Sequence, residues 1–127
     1  MAQQQRFSSP YISQIVDRLQ RIRPDKIILF GSHAYGMPHA DSDIDLIVVL
    51  NKHGLNSTYR EKSQDRMAVS RELLEIERET PIDALVYTLD EWSAFLMQDS
   101  AFAKLIRQKG VVLYEAKHTG MVEPSQR

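Results

Sequence analysis

The kind and order of its apolar segments predict a mixed α/β fold for this chain, a small mixed β-sheet covered by helices. Three observations carry that expectation. Strand-sized, β-branched apolar runs recur at residues 26–30, 43–50, 82–87 and 111–114. Segments with apolar residues at helical spacing lie before and between them, and prolines, glycines and helix-capping residues stand at the joints.

In order, Ser9-Pro10 reads as an N-cap followed by proline in the first turn, and Ile12, Ile15, Val16, Leu19 and Ile22 then recur at helical spacing. Pro24-Asp25 breaks that helix, and Lys26-Ile27-Ile28-Leu29-Phe30 is short and continuously apolar after its first residue, as a buried strand is. Residues 33–42 are polar and turn-rich and read as a loop. Asp43-Ile44-Asp45-Leu46-Ile47-Val48-Val49-Leu50 has the composition of a second buried strand, charged only where it starts. Residues 59–78 read as a helix with an exposed first half, its apolar stripe limited to Val69, Leu73 and Ile76.

After Pro81 the run 82–87 predicts a third strand, and Thr88-Leu89-Asp90-Glu91 matches a capping box that starts a helix at Leu89. Ser100 caps a further helix that Gly110 ends, and Val111-Val112-Leu113-Tyr114 closes the series as a strand. Such an alternation suits a sheet flanked by helices. Residues 1–116 read as one domain and residues 117–127 as a disordered tail. Trp92, Phe95, Leu96 and Phe102, at near-helical spacing, read as core.

The bulk properties narrow the function classes. A chain of 127 residues is one ordinary domain in size, and 43% hydrophobic with 26% charged residues is a globular composition. A net charge of -1 argues against extensive contact with a nucleic-acid backbone. The absence of cysteine removes disulfides and thiolate metal sites. No apolar run reaches membrane-spanning length and residues 1–9 lack the apolar core of a signal peptide, so a cytoplasmic setting is expected. His33, His39, His53 and His118 have no paired helical spacing, so no zinc site is expected, and His33 and His39 read as loop surface.

The chemistry is concentrated between residues 29 and 49. Strand interiors disfavour aspartate, and an ionised carboxylate against an apolar sheet is costly without a compensating cation. Asp43 and Asp45 therefore stand out. Alternation puts both on one face, roughly 6 to 7 Å apart at a rise of about 3.3 Å per residue, a span that can bracket shared divalent cations. Gly31-Ser32 follows the first strand directly, where glycine lets the backbone approach a ligand and exposed amides with a hydroxyl can bind anionic oxygens. Each signal alone has a plain reading, a solvated strand entrance for Asp-x-Asp and a simple turn for Gly-Ser. Their order and flanking strands make the combination specific.

Leu-Phe-Gly-Ser, a spacer containing Gly36, and Asp-Ser-Asp-Ile-Asp-Leu resemble the signature of nucleotidyltransferases of the DNA polymerase beta superfamily. Gly31, Ser32, Asp43 and Asp45 match it residue for residue. The small size and the ending Ile-Arg-Gln-Lys-Gly-Val-Val-Leu-Tyr-Glu are similar to the minimal nucleotidyltransferases, many of them antitoxins encoded beside a HEPN-domain toxin. The resemblance implies the nucleotidyltransferase fold, two Mg2+ ions held by Asp43, Asp45 and a third carboxylate on the next strand, and ATP bound through Gly31 and Ser32. Asp83 is the natural third carboxylate; its rivals Glu79 and Asp90 fall outside the apolar run. Several antitoxin relatives carry an arginine after Gly-Ser where this chain has His33-Ala34-Tyr35, so how the triphosphate charge is neutralised here is a departure from their pattern.

The activity so implied is transfer of AMP from ATP to a hydroxyl, with a tyrosine of a partner HEPN toxin as the acceptor and homo- or hetero-oligomers as the working form. Two alternatives belong to other classes: a non-catalytic antitoxin that acts by contact, and a small-molecule adenylyltransferase. The second would need an acceptor pocket that this short chain does not provide alone.

Overall fold

The structure is a computed structural model that describes residues 9–35, 43–55 and 58–117. Helix α1 (Tyr11–Leu19) continues into a 3-10 turn (Gln20–Ile22), and Arg23, at φ 52°, ends it in a left-handed conformation. Ser9 Oγ accepts a hydrogen bond from Tyr11 N–H at 3.2 Å, although Pro10 occupies the N-cap position. Strand β1 (Pro24–Phe30) begins two residues before the expected start, so Arg23 rather than Pro24-Asp25 makes the break. After the short helix α2 (Ser32–Tyr35) come β2 (Ile44–Leu50), α3 (Tyr59–Glu77), β3 (Ile82–Tyr87), α4 (Leu89–Gln98), α5 (Ala101–Lys109) and β4 (Val111–Glu115).

The strands form one mixed sheet in the order β3-β2-β1-β4, with β1 antiparallel to β2 and β4, and β2 parallel to β3. Alternation sorts their side chains between two apolar layers. Ile27, Leu29, Leu46 and Val48 pack with Ile12, Ile15 and Leu19 of α1 and Val69, Leu73 and Ile76 of α3. Ile28, Ile47 and Val49 face the other way, onto Trp92 of α4 and Ile106 of α5, with Phe30, Tyr87, Phe95, Leu96 and Phe102 packed around them. The expectation that Trp92, Phe95, Leu96 and Phe102 serve the core is met. Ring pairs such as Phe30 with Phe102, 5.4 Å between centroids, and Trp92 with Phe95, 5.3 Å, fill this second layer.

Reciprocal capping boxes start α3 and α4. Thr88 Oγ1 accepts from Glu91 N–H while Glu91 accepts from Thr88 N–H, and Thr58 with Glu61 repeats the arrangement. The first half of α3 is less exposed than its sequence suggests. Asp65 is buried and bonded by Lys52 Nζ at 3.0 Å, and Lys62 Nζ donates to the Val86 carbonyl at 2.8 Å and to Glu91 Oε1 at 2.5 Å, joining α3 to β3 and α4. Among the described residues no helix is long and apolar enough to cross a membrane. The expected tail lies outside the described residues beyond Lys117.

Candidate active site

Because β1 runs against β2 and β3, the end of β1 meets the beginnings of the other two at one edge of the sheet. There Phe30 pairs with Asp45, and Asp45 pairs in turn with Asp83 on the parallel strand. Residues in register across neighbouring strands share a face, and the strands lie about 4.8 Å apart. Asp45 and Asp83 are therefore side by side on the α4/α5 face, beyond Ile47 and Leu85. Asp43 immediately precedes β2 and is exposed, as is Asp83, while Asp45 is half-buried. The three aspartates expected to act together thus share one corner of the fold. The rivals Glu79 and Asp90 do not share it: Glu79 accepts from Tyr11 Oη at 3.0 Å, and Asp90 accepts from Gly54 N–H at 2.8 Å.

Gly31 closes this corner from the β1 side. Its φ of 76° is in the region that favours glycine, and a Cβ there would run into Asp45 Oδ2. The Gly31 carbonyl accepts from Ala34 N–H at 3.0 Å and from Tyr35 N–H at 3.2 Å, winding Ser32 to Tyr35 into a helical turn. This corrects the expectation of a loop directly after Gly-Ser. Residues 36–42, including His39, lie outside the described residues.

Burial pushes the Asp45 carboxyl above the usual carboxylate range, and the neighbouring charges of Asp83 and then Asp43 push it further, against a smaller opposite pull from His33. The cause is legible in the fold, since Asp45 sits beside Phe30 and two like charges. His33 is half-buried and electrostatically coupled to Asp45, so it belongs to the site and not to the loop surface expected of it. Its position directly after Gly31-Ser32 was the available signal.

Oxygen-only donors of net negative charge, held where they destabilise one another, match what a hard divalent cation takes. Among the described residues no three acidic or histidine side chains are drawn close enough together to hold a metal ion as they stand. The aspartates instead form an open bracket at strand spacing. A polar cleft between α1 and α3, lined by Tyr11, Arg18, Glu75 and Glu79, lies on the opposite face. Across it Arg18 pairs with Glu75 at 2.7 Å and Tyr11 donates to Glu79, so these contacts brace two helices.

The sequence matches the family described as nucleotidyltransferase domain over residues 11–108, from the start of α1 to the penultimate residue of α5. The chain belongs to that family. No curated protein matches it. Solved structures share the fold: a toxin-antitoxin crystallised with AMP-PNP, at 23% identity over 84% of this chain and 75% of that one with a TM-score of 0.52; and a protein of Sulfolobus solfataricus described as a nucleotidyltransferase, at 16% identity over 87% and 85% with a TM-score of 0.54. A mutant of the toxin-antitoxin MntA-HpeT, with two aspartates two positions apart changed to glutamate, matches at 21% identity over 84% and 75% with a TM-score of 0.51.

Proposed function

We propose that this chain transfers AMP from ATP to a hydroxyl of a protein partner, most simply a tyrosine of a HEPN toxin, and so acts as the antitoxin of a cytoplasmic toxin-antitoxin pair. The observation that carries the reading is the in-register pairing of Asp45 with Asp83 directly beneath the Gly31-Ser32 turn. Membership of the nucleotidyltransferase family supports the reaction type, and two structural neighbours that are toxin-antitoxins, one of them crystallised with AMP-PNP, support the setting and the nucleotide.

In this reading the Gly31 amide and the Ser32 hydroxyl hold the β- and γ-phosphates, and Asp43, Asp45 and Asp83 hold two Mg2+ ions. Bound magnesium supplies charge neutralisation on the triphosphate and polarisation of the phosphoryl group under attack. Asp83, exposed at the sheet edge, accepts the proton of the acceptor hydroxyl. The acceptor oxygen bonds to the α-phosphorus, the bond from that phosphorus to the β-bridging oxygen breaks, and pyrophosphate leaves with the electron pair. No second domain stands over the aspartates among the described residues, so the acceptor brings its own binding surface, as a protein of interface size about 800 Å² per side can.

The reading is tested with Asp43→Asn and Asp45→Asn. Both variants should keep the fold, lose transfer and lose the Mg-dependent rise in Tm that ATP gives the wild type, a rise that reflects about 2.7 kcal/mol of stabilisation by mass action for ligand at a hundred times Kd. Full transfer by either variant would overturn the assignment of these aspartates.

A further inference from the structure

Beside the Gly31-Ser32 turn stands a cation that the proposed site has not used. Strand β4 pairs antiparallel with β1, and their last aligned pair is Leu29 with Val111. Val111 opens β4 directly after Gly110, and Lys109 before it is the last residue of α5, so both lie at the end of the sheet where β1 gives way to Gly31. Gly110 fixes this corner tightly: a Cβ there would stand 2.6 Å from the Ile106 carbonyl oxygen and 3.1 Å from Ile28 Cγ2. Lys109, the last residue of α5, is thereby delivered to the end of the sheet where the turn lies.

Its ammonium is 6.0 Å from the ring centroid of Tyr35, the last residue of α2, which begins at Ser32. That is the outer limit of a cation-π contact, so the ammonium is held weakly. Among the described residues no carboxylate pairs with Lys109. Arg107, the other cation in the last turn of α5, is committed to Asp99 at 2.7 Å and to the Leu96 carbonyl at 2.5 Å. His33 is directed electrostatically to Asp45. Magnesium offsets only part of the negative charge where a triphosphate meets three carboxylates, and the Gly31 amide and Ser32 hydroxyl carry no full positive charge, so a side-chain cation beside the turn adds what they lack.

We propose that Lys109 is a polyphosphate-binding residue, exchanging its contact with Tyr35 for the β- and γ-phosphates of a nucleoside triphosphate held at Gly31-Ser32. This rests on the reading of that turn as the phosphate site and adds a specificity element to it. Lys109 reads the terminal phosphates and is indifferent to the nucleoside monophosphate part.

The test is calorimetric titration of the full chain with ATP and with AMP, both in excess magnesium, for the wild type, Lys109→Gln, Lys109→Arg and Lys104→Gln. Lys104, exposed on the same helix away from the corner, serves as the control. Loss of one charge-assisted contact should weaken ATP binding about tenfold in Lys109→Gln. AMP binding should not change, Lys109→Arg should recover most of the loss, and Lys104→Gln should behave as wild type. Unchanged ATP affinity in Lys109→Gln overturns the inference, as does equal weakening of ATP and AMP, which would report a general disturbance of the corner. Failure of the wild type itself to bind Mg-ATP would remove the phosphate site and this inference with it.

Discussion

The backbone of Gly31 lies against the carboxylate of Asp45, close enough that no side chain fits between them. The glycine of the Gly-Ser motif therefore does more than let a phosphate approach. It makes room for the half-buried aspartate of the next strand.

Gly31→Ala is accordingly expected to act twice. A non-glycine residue at φ 76° costs about 1–2 kcal/mol of stability, and the added methyl displaces Asp45 from its place opposite Asp83. Thermal denaturation should show the modest loss, and transfer activity should fall at least a hundredfold in protein that is still folded. A folded Gly31→Ala variant with near-normal turnover would separate the glycine from the aspartate.

Asp45 also sets a pH dependence. Its carboxyl is raised in the folded protein by burial, Asp83 and Asp43, so the folded state holds this proton more tightly than the unfolded chain does. In metal-free protein its contribution to stability therefore falls as pH rises from the ordinary carboxylate pKa through the raised one, and the cost persists at neutral pH. Asp45→Asn should raise Tm in chelator at pH 7, and the gain should shrink toward pH 3. Magnesium should stabilise the wild type and not the variant. A Tm for Asp45→Asn below wild type in chelator at pH 7 would show that the carboxylate is held by structure rather than for ligand.

Away from the site, the Lys62 bridge predicts a stability effect without a catalytic one. Lys62 and Glu91 side chains are 22% and 16% exposed, and Lys62 also satisfies the Val86 carbonyl. Lys62→Met leaves both partners short of a donor and should cost about 2–3 kcal/mol in denaturant unfolding. Transfer by the folded fraction should be retained, because the bridge lies at the end of β3 opposite Asp83. Loss of turnover in folded Lys62→Met would mean that the far end of the sheet tunes the site.

Much of this architecture is legible in local pattern. The run 82–87 and the Thr88 capping box mark β3 and the start of α4 where the structure has them, because strand burial and cap geometry are set by neighbours in sequence. Thr58-Tyr59-Arg60-Glu61 carries the same capping signal for α3 and was equally available. The helical turn Ser32–Tyr35 has no apolar periodicity of its own; the Gly31 carbonyl winds it. The burial of Asp65 and Lys62 depends on Lys52, Glu91 and Val86, partners 13 to 29 residues away. Least legible was the register of β3 on β2. Nothing local says that Asp83 falls opposite Asp45 rather than a residue to either side; family resemblance pointed only to a third carboxylate on that strand, and the register belongs to the parallel pairing of two segments distant in sequence.

The central claim is that the aspartate corner transfers AMP to a protein, and the direct measurement is intact-mass spectrometry of the HEPN-domain toxin proposed as its partner after incubation with this chain and Mg-ATP. The account predicts that the partner gains one or more AMP units, located on tyrosine by fragmentation, and loses its ribonuclease activity, since the added charge and bulk would repel and obstruct RNA phosphates. Asp43→Asn should block both changes together. Neutralisation of the partner by stoichiometric Asp43→Asn protein, with no mass shift in either reaction, would contradict the account and leave an antitoxin that works by contact.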